Sequence, residues 1–366
     1  MNQEDRSILI TRIRRIISTR RLSAILITSP ENRLYLSGFN AEDMGIKESA
    51  GALLITPKEQ ILLTDSRYIV QAKEEAPDWK LIIYQRGLPE GIKKALTSSQ
   101  TDIVLGYEPE FLTCKMKSRI CKAIPNIQLY ELTGQLEKMR AQKHDWEMTK
   151  IKRSVRAAEE VFNKVWEEIK PGMTEKQIAF NILEGLYTLS DGPSFPPIVA
   201  SGPNAAKPHA TPTDRKVAAG EPIIIDMGAK LDGYCSDMTR TIFIDGIVPT
   251  EWQTPYKIVK QAQDMAQEAL KPGISVRQID KTARDIIKKH GFGQYFIHAL
   301  GHGVGLAVHE SPVLSPRCRK NLSFGMVVTI EPGIYIPGLG GIRLENMAMI
   351  TDNGAEILSS DRWFYE

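Results

Sequence analysis

The feature that most limits how this chain can fold is an internal duplication in its C-terminal two-thirds. "KPGMTEKQI" (Lys170 to Ile178) returns as "KPGISVRQI" (Lys271 to Ile279), and "HATP" (His209 to Pro212) returns as "HESP" (His309 to Pro312). Gly220 precedes Asp226 by six residues across an apolar run, as Gly325 precedes Glu331. Gly233 lies four before Asp237, as Gly341 lies four before Glu345. The offsets are 101, 100, 105 and 108, which is one unit copied, with small insertions in the second copy. Each copy predicts a helix opened by a Thr or Ser N-cap, at Thr174 and Ser275. Each also predicts β-branched strands, such as Ile223 to Ile225 and Thr241 to Ile244, that end in or follow a carboxylate.

If the copies pack about a pseudo-twofold axis, Asp226, Asp237, Glu331 and Glu345 converge from two sheets. Buried carboxylates that close raise one another's pKa, and four cannot stay ionised without compensation. Arg240 and Arg343 are near in sequence, but two cations do not neutralise four anions. Divalent metal ions do, and an oxygen-rich site with one imidazole suits Mn²⁺, Co²⁺, Fe²⁺ or Zn²⁺. The imidazole has a source in "FIHALGHGVGLAVHE", which places His298, His302 and His309 within twelve positions among glycines that let backbone approach a ligand. The chain has six histidines, and His209 takes the matching place in the first copy. Two metal ions held this way are a machinery of hydrolysis.

Upstream of the duplication, "SAILI", "GALLIT", "QILLTD", "KLIIY", "DIVLGY" and "IQLYEL" read as short strands alternating with helices, a small α/β domain. "LLITPKEQILLT" reads as a hairpin. The basic opening "RSILITRIRRIISTRRLSAILI" has Leu9, Ile13 and Ile16 or Ile17 at helical spacing and no continuous apolar core, so it reads as an amphipathic helix rather than a targeting signal. One long charged helix is expected from Leu136 to Ile169, stopping at Pro171-Gly172. At 366 residues two domains are expected. A net charge of +3 offers no field for nucleic acid or membrane. Four cysteines without CxxC spacing point to a reducing cytoplasm.

With these residues in hand, the chain resembles the pita-bread metallopeptidases, in the branch of Xaa-Pro aminopeptidase (aminopeptidase P) and Xaa-Pro dipeptidase (prolidase). "NRLYLSGF" and "LLTDSRY" carry the resemblance at the N-terminal side. It implies an α/β creatinase/prolidase-like N-terminal domain over 1–135 and an α+β pita-bread catalytic domain over 136–366 containing the pseudo-twofold repeat. It also implies two divalent ions, with Mn²⁺ first and Co²⁺, Zn²⁺ or Fe²⁺ as alternatives, held by Asp226, Asp237, His302, Glu331 and Glu345. Asp237 and Glu345 would be shared between the ions, and Glu331 would act as general base toward the attacking water. His209 and His309 would bind substrate and steady the tetrahedral intermediate, His298 would shape a proline pocket, Arg343 would hold the shared carboxylates, and Thr239 would support the site from behind. The substrate would be a small peptide with proline second, and the assembly a homodimer. "SFPPIVASGPN" departs from the usual pattern by two prolines ahead of His209, and Asn346 and Ala299 are smaller departures.

The main expectation is an Xaa-Pro aminopeptidase, with an Xaa-Pro dipeptidase as the alternative. A methionine aminopeptidase shares the ligand set but lacks a preceding domain of this size. A metal-free amidinohydrolase of the creatinase kind shares both domains but does not need a full acidic ligand set. A non-catalytic binding module would tend to lose ligands, and all five are present.

Overall fold

The structure is a computed structural model and describes residues 3–43, 45, 48–96, 102–246 and 248–359. The chain divides into two compact units, 1–136 and 137–366.

In the first unit the six expected strands all form: β1 (Ala24–Ile27), β2 (Ala52–Ile55), β3 (Gln60–Thr64), β4 (Lys80–Ile83), β5 (Ile103–Tyr107) and β6 (Ile127–Glu131). They make one mixed sheet in the order β4-β3-β2-β1-β5-β6. β2 and β3 are the expected hairpin, closed by the Thr56 N–H donating to Glu59 O at 2.9 Å. Every residue of β1 and β2 is buried, as continuous apolar runs require when both faces of a sheet are covered. The cover comes from α1 (Gln3–Arg20), α2 (Pro30–Ser37), α3 (Ile69–Glu75), α4 (Leu88–Leu96) and α5 (Cys114–Ala123). In α1 the buried stripe is Leu9, Ile10, Ile13 and Ile17. "DSRY" forms a capped turn in which Asp65 accepts from the Arg67 N–H at 2.9 Å.

The long helix expected over 136–169 is two helices, α6 (Gln135–Ala141) and α7 (Asp145–Glu168). His144 stops the run because its backbone is extended and its N–H is taken by Glu147, in a capping box that starts α7 afresh.

The duplication is visible as two matching halves. α7 packs on α8 (Glu175–Leu189) in the first, and α9 (Thr250–Glu268) on α10 (Val276–Lys289) in the second. The strands are β7 (Gly192–Pro193), β8 (Ile198–Ser201), β9 (Ile223–Met227), β10 (Ala229–Leu231), β11 (Tyr234–Cys235) and β12 (Met238–Ile242), then β13 (Gly301–Gly303), β14 (Glu310–Leu314), β15 (Val327–Ile330), β16 (Gly333–Ile336), β17 (Gly340–Arg343), β18 (Asn346–Ile350) and β19 (Ala355–Ile357). The sheet β12-β9-β8 of one half answers β14-β13-β15-β18-β19 of the other. Smaller details repeat too: Gly172 N–H donates to Val217 O and Gly273 N–H to Leu322 O. The halves join where Glu345 N–H donates to Thr239 O at 3.1 Å and Thr241 and Arg343 exchange two hydrogen bonds. That seam brings the ends of β12 and β17 together.

Candidate metal centre and active site

The acidic residues stand at strand ends, where side chains leave the pleat and no longer pack on the sheet. Asp226 is near the end of β9, Asp237 just before β12, Glu331 just after β15, and Glu345 between β17 and β18. His302 is the middle residue of β13. β13 approaches β15 so closely that a Cβ at Gly301 would lie 2.0 Å from Thr329 O, which is why glycine precedes the histidine.

Asp237, His302 and Glu345 each place one ligand atom within 4.8 Å of the others. His302 Nε2 lies 3.5 Å from Asp237 Oδ2 and 3.4 Å from Glu331 Oε1. Asp226 is turned differently: Oδ2 meets Arg343 at 2.5 Å, while Oδ1 is buried with no hydrogen-bond partner among the described residues.

These contacts test whether a cation fits. His302 Nδ1 faces Gly303 O at 3.0 Å, so the ring proton sits there and Nε2 presents a lone pair. Burial pushes the His302 pKa down to about 4, so the ring is neutral. A lone pair then faces two carboxylate oxygens at van der Waals distance, an arrangement of acceptors alone whenever those carboxylates are ionised. Burial, and then the charges of Glu345 and Asp226, raise Asp237 well above the usual carboxylate range. Burial and Glu345 do the same to Glu331, and burial and Asp226 lift Glu345 to about 8. One cation among these atoms would turn every repulsive contact into an attractive one. The donor set fits divalent metal ions of the Mn²⁺ to Zn²⁺ series.

Arg343 makes its direct ion pair with Asp226 and acts on Asp237 and Glu345 through its charge. Its hydrogen bonds reach Glu345 only through Thr239, to which Nε donates at 3.0 Å and whose hydroxyl donates to Glu345 Oε2 at 2.7 Å. The reason is where β17 ends, on the Asp226 side of the seam. Its NH1 donates to Pro208 O at 3.1 Å, beside His209, and to the Tyr335 hydroxyl at 2.9 Å. Tyr335 in turn donates to His298 Nε2 at 2.9 Å, and His298 Nδ1 donates to Ala299 O at 2.8 Å. This chain of single-direction hydrogen bonds commits both nitrogens of His298, whose pKa burial lowers to about 4.

Sequence reading missed Tyr335. In "EPGIYIP" it looks like a strand aromatic, and nothing in the sequence pairs it with residues 8 and 37 positions away. Arg284 was also missed; it stacks on Phe296 at 4.2 Å and donates to Phe296 O and His298 O, fixing the His298 backbone.

The cluster lies in a cavity of about 610 Å³, within the usual range for a small-molecule site. His209, His298 and His309 line it together with Phe195, Pro196 and Pro197, the two prolines noted in the sequence. The His309 ring meets the His302 ring edge-on, with centroids 4.3 Å apart.

Residues 149–352 match the model of metallopeptidase family M24, and residues 10–142 match that of the creatinase/prolidase N-terminal domain. The chain is 35% identical over 341 residues to an Xaa-Pro dipeptidase of Pyrococcus furiosus, covering 92% of this chain and 93% of that one. Its structure superposes on an Xaa-Pro dipeptidase from Bacillus anthracis with a TM-score of 0.89, at 33% identity over 97% of each chain. It superposes on an X-Pro aminopeptidase from Thermotoga maritima with a TM-score of 0.86, at 34% identity over 96% of this chain and 98% of that one. The chain belongs to metallopeptidase family M24, with a creatinase-type N-terminal domain ahead of a pita-bread catalytic domain.

Proposed function

We propose that this protein is an Xaa-Pro dipeptidase, a hydrolase of the bond between a first residue and a following proline. The observation that carries hydrolysis is the cluster of Asp237, His302 and Glu345 with Glu331 and Asp226 beside it, opening on a cavity of about 610 Å³. Dipeptidase rather than aminopeptidase rests on the relatives: the similar chains from Pyrococcus furiosus and Bacillus anthracis carry the dipeptidase name. The aminopeptidase remains the second reading because the similar structure from Thermotoga maritima carries that name.

Asp226, Asp237, His302, Glu331 and Glu345 would hold two divalent ions, of which Mn²⁺ is the first candidate. Such ions polarise a carbonyl and acidify water. The protein's own residues do the rest. Glu331, anchored by its N–H to Leu300 O at 2.8 Å, takes the proton of the attacking water as the C–O bond forms. It returns that proton to the prolyl nitrogen as the C–N bond breaks, since the tertiary amide nitrogen leaves only as the amine. His209 and His309 face the substrate from the cavity wall. His298, with both nitrogens committed, offers an apolar face where the proline ring would pack. A homodimer in a reducing cytoplasm completes the reading.

The test is turnover of an Xaa-Pro dipeptide beside an Xaa-Pro-Yaa tripeptide, with Mn²⁺ and again after chelation. Cleavage of the dipeptide alone supports the proposal. Cleavage of the tripeptide moves the assignment to aminopeptidase, and activity that survives chelation overturns the metal site.

A further inference from the structure

We propose that Glu310 is a positioning residue: clamped between Arg140 and Lys143, it sets the loop of residues 305–309 so that His309 stands against His302 at the cavity wall. This rests on the reading of His309 as a substrate-facing residue.

Glu310 begins β14, one residue after His309, and its side chain is 4% exposed. Oε1 meets Arg140 at 2.5 Å and Oε2 meets Lys143 at 2.8 Å, both cations being buried. The cations are themselves fixed. Lys143 Nζ donates to Arg140 O at 2.6 Å, and the Lys143 N–H donates to Gly325 O at 2.8 Å. The carboxylate therefore sits on an anchored floor, the last turn of α6 and the short segment that follows it.

From there the restraint runs into the loop. The Ala307 N–H donates to Glu310 Oε1 at 3.1 Å. At Gly305 a Cβ would lie 2.7 Å from both carboxylate oxygens, so the loop closes over the carboxylate only because residue 305 is glycine. Gly305 O accepts from the Cys235 N–H at 2.8 Å, two residues before Asp237. Loop, carboxylate and the approach to Asp237 thus form one hydrogen-bonded body. The loop has no other regular structure to shape it, because residues 304–309 lie between β13 and β14.

Three dry charges are a poor way to stabilise a fold, since an apolar cluster of the same volume does as well. They are a good way to fix a backbone to within a few tenths of an ångström, because charge-assisted bonds are short and directional. The first half anchors its histidine loop differently. There Glu175 accepts from Ser201, Asn204 and Thr213, all neutral donors, on either side of His209. The first half's loop also carries the Arg215–Glu221 pair, but among the described residues a carboxylate next to the histidine is held by two cations only in the half whose histidine touches His302.

Two variants test the clamp, Glu310→Gln and Glu310→Gln with Lys143→Met, the second leaving no orphaned lysine. The readouts are kcat and KM on an Xaa-Pro dipeptide, the thermal midpoint, and the His309 imidazole NMR signals, assigned by their loss in His309→Asn. Glu310→Gln should lower kcat/KM by roughly 10- to 100-fold, with the loss in kcat. The double variant should recover part of the thermal stability, Arg140 still lacking its carboxylate, without recovering kcat, and the His309 ring signals should be displaced in both. A kcat that returns together with stability, or ring signals unmoved in both variants, overturns the proposal and leaves a structural ion cluster. If the wild-type protein cleaves no Xaa-Pro substrate, the proposed function fails, while the ring signals still decide the clamp.

Discussion

Individual side chains in this site are legible only through what surrounds them. His302 shares a glycine-rich stretch with His298 and His309, and the resemblance names it as the ligand among them; its ligand character comes from Gly303 O holding the ring proton on Nδ1. Tyr335 carries as much of the arrangement and left no trace in the sequence, since a tyrosine in a β-strand is ordinarily core. Glu310 shows how the same residue type acquires opposite behaviour. Burial alone would raise it as it raises Glu331, but Lys143 and Arg140 outweigh burial and take it down to about 2. The sign follows: its folded-state value is depressed below the ordinary 4.5, so its contribution is complete above pH 4.5 and is lost as pH falls toward 2. The pH-dependent part is roughly 3 kcal/mol. Comparing wild type with Glu310→Gln by chemical denaturation, the stability gap should be widest near neutrality and close between pH 4.5 and 2. A gap independent of pH would mean that the ion pairs do not set its titration.

At the scale of elements, the duplication predicts that Thr174 and Ser275 do the same work, and the structure separates them. Thr174 accepts from the Gln177 N–H and is answered by the Gln177 side chain in a full capping box, whereas Ser275 makes no side-chain capping bond. Thr174→Ala should therefore cost about 1 kcal/mol, and Ser275→Ala only a few tenths. Urea unfolding of both variants checks this, and equal losses would refute it. The same divergence makes the metal cluster one-sided. Gly303 pairs with Val328 in the second half as Ser201 pairs with Ile223 in the first, so the position matching His302 is Ala200. A symmetric backbone supplies carboxylates from both halves and an imidazole from one. The break at His144 is a further element-scale outcome. Helix-favouring composition runs through it, and α6 is divided from α7 because Gly325 O takes the Lys143 N–H and the Glu147 carboxylate takes the His144 N–H.

For the whole molecule, the seam between the halves is the stored electrostatic problem, with Asp237 and Glu345 buried beside Asp226 and Glu331. Metal binding to the folded state alone stabilises it by mass action, about 2.7 kcal/mol at a hundredfold excess over Kd. Saturating Mn²⁺ should accordingly raise the thermal midpoint of the wild-type protein, and Asp237→Ala and Glu345→Ala should each lose that rise, bind less metal and stop turning over substrate. A midpoint insensitive to metal, or turnover retained in either variant, would remove the cluster from the mechanism. No helix among the described residues is long and apolar enough to cross a membrane. By itself the sequence determined the six strands of the first unit and the duplication of the second with its four repeated carboxylates, because periodicity, turn residues and repeated spacing are local properties of a chain; His302 as their partner was what the family resemblance implied. Tertiary structure alone decided that Arg343 serves Asp226, that Tyr335 ties it to His298, and that Glu310 is clamped by residues some 170 positions away. These are contacts across the seam and between elements, set by packing, and packing is not written in the spacing of any one segment.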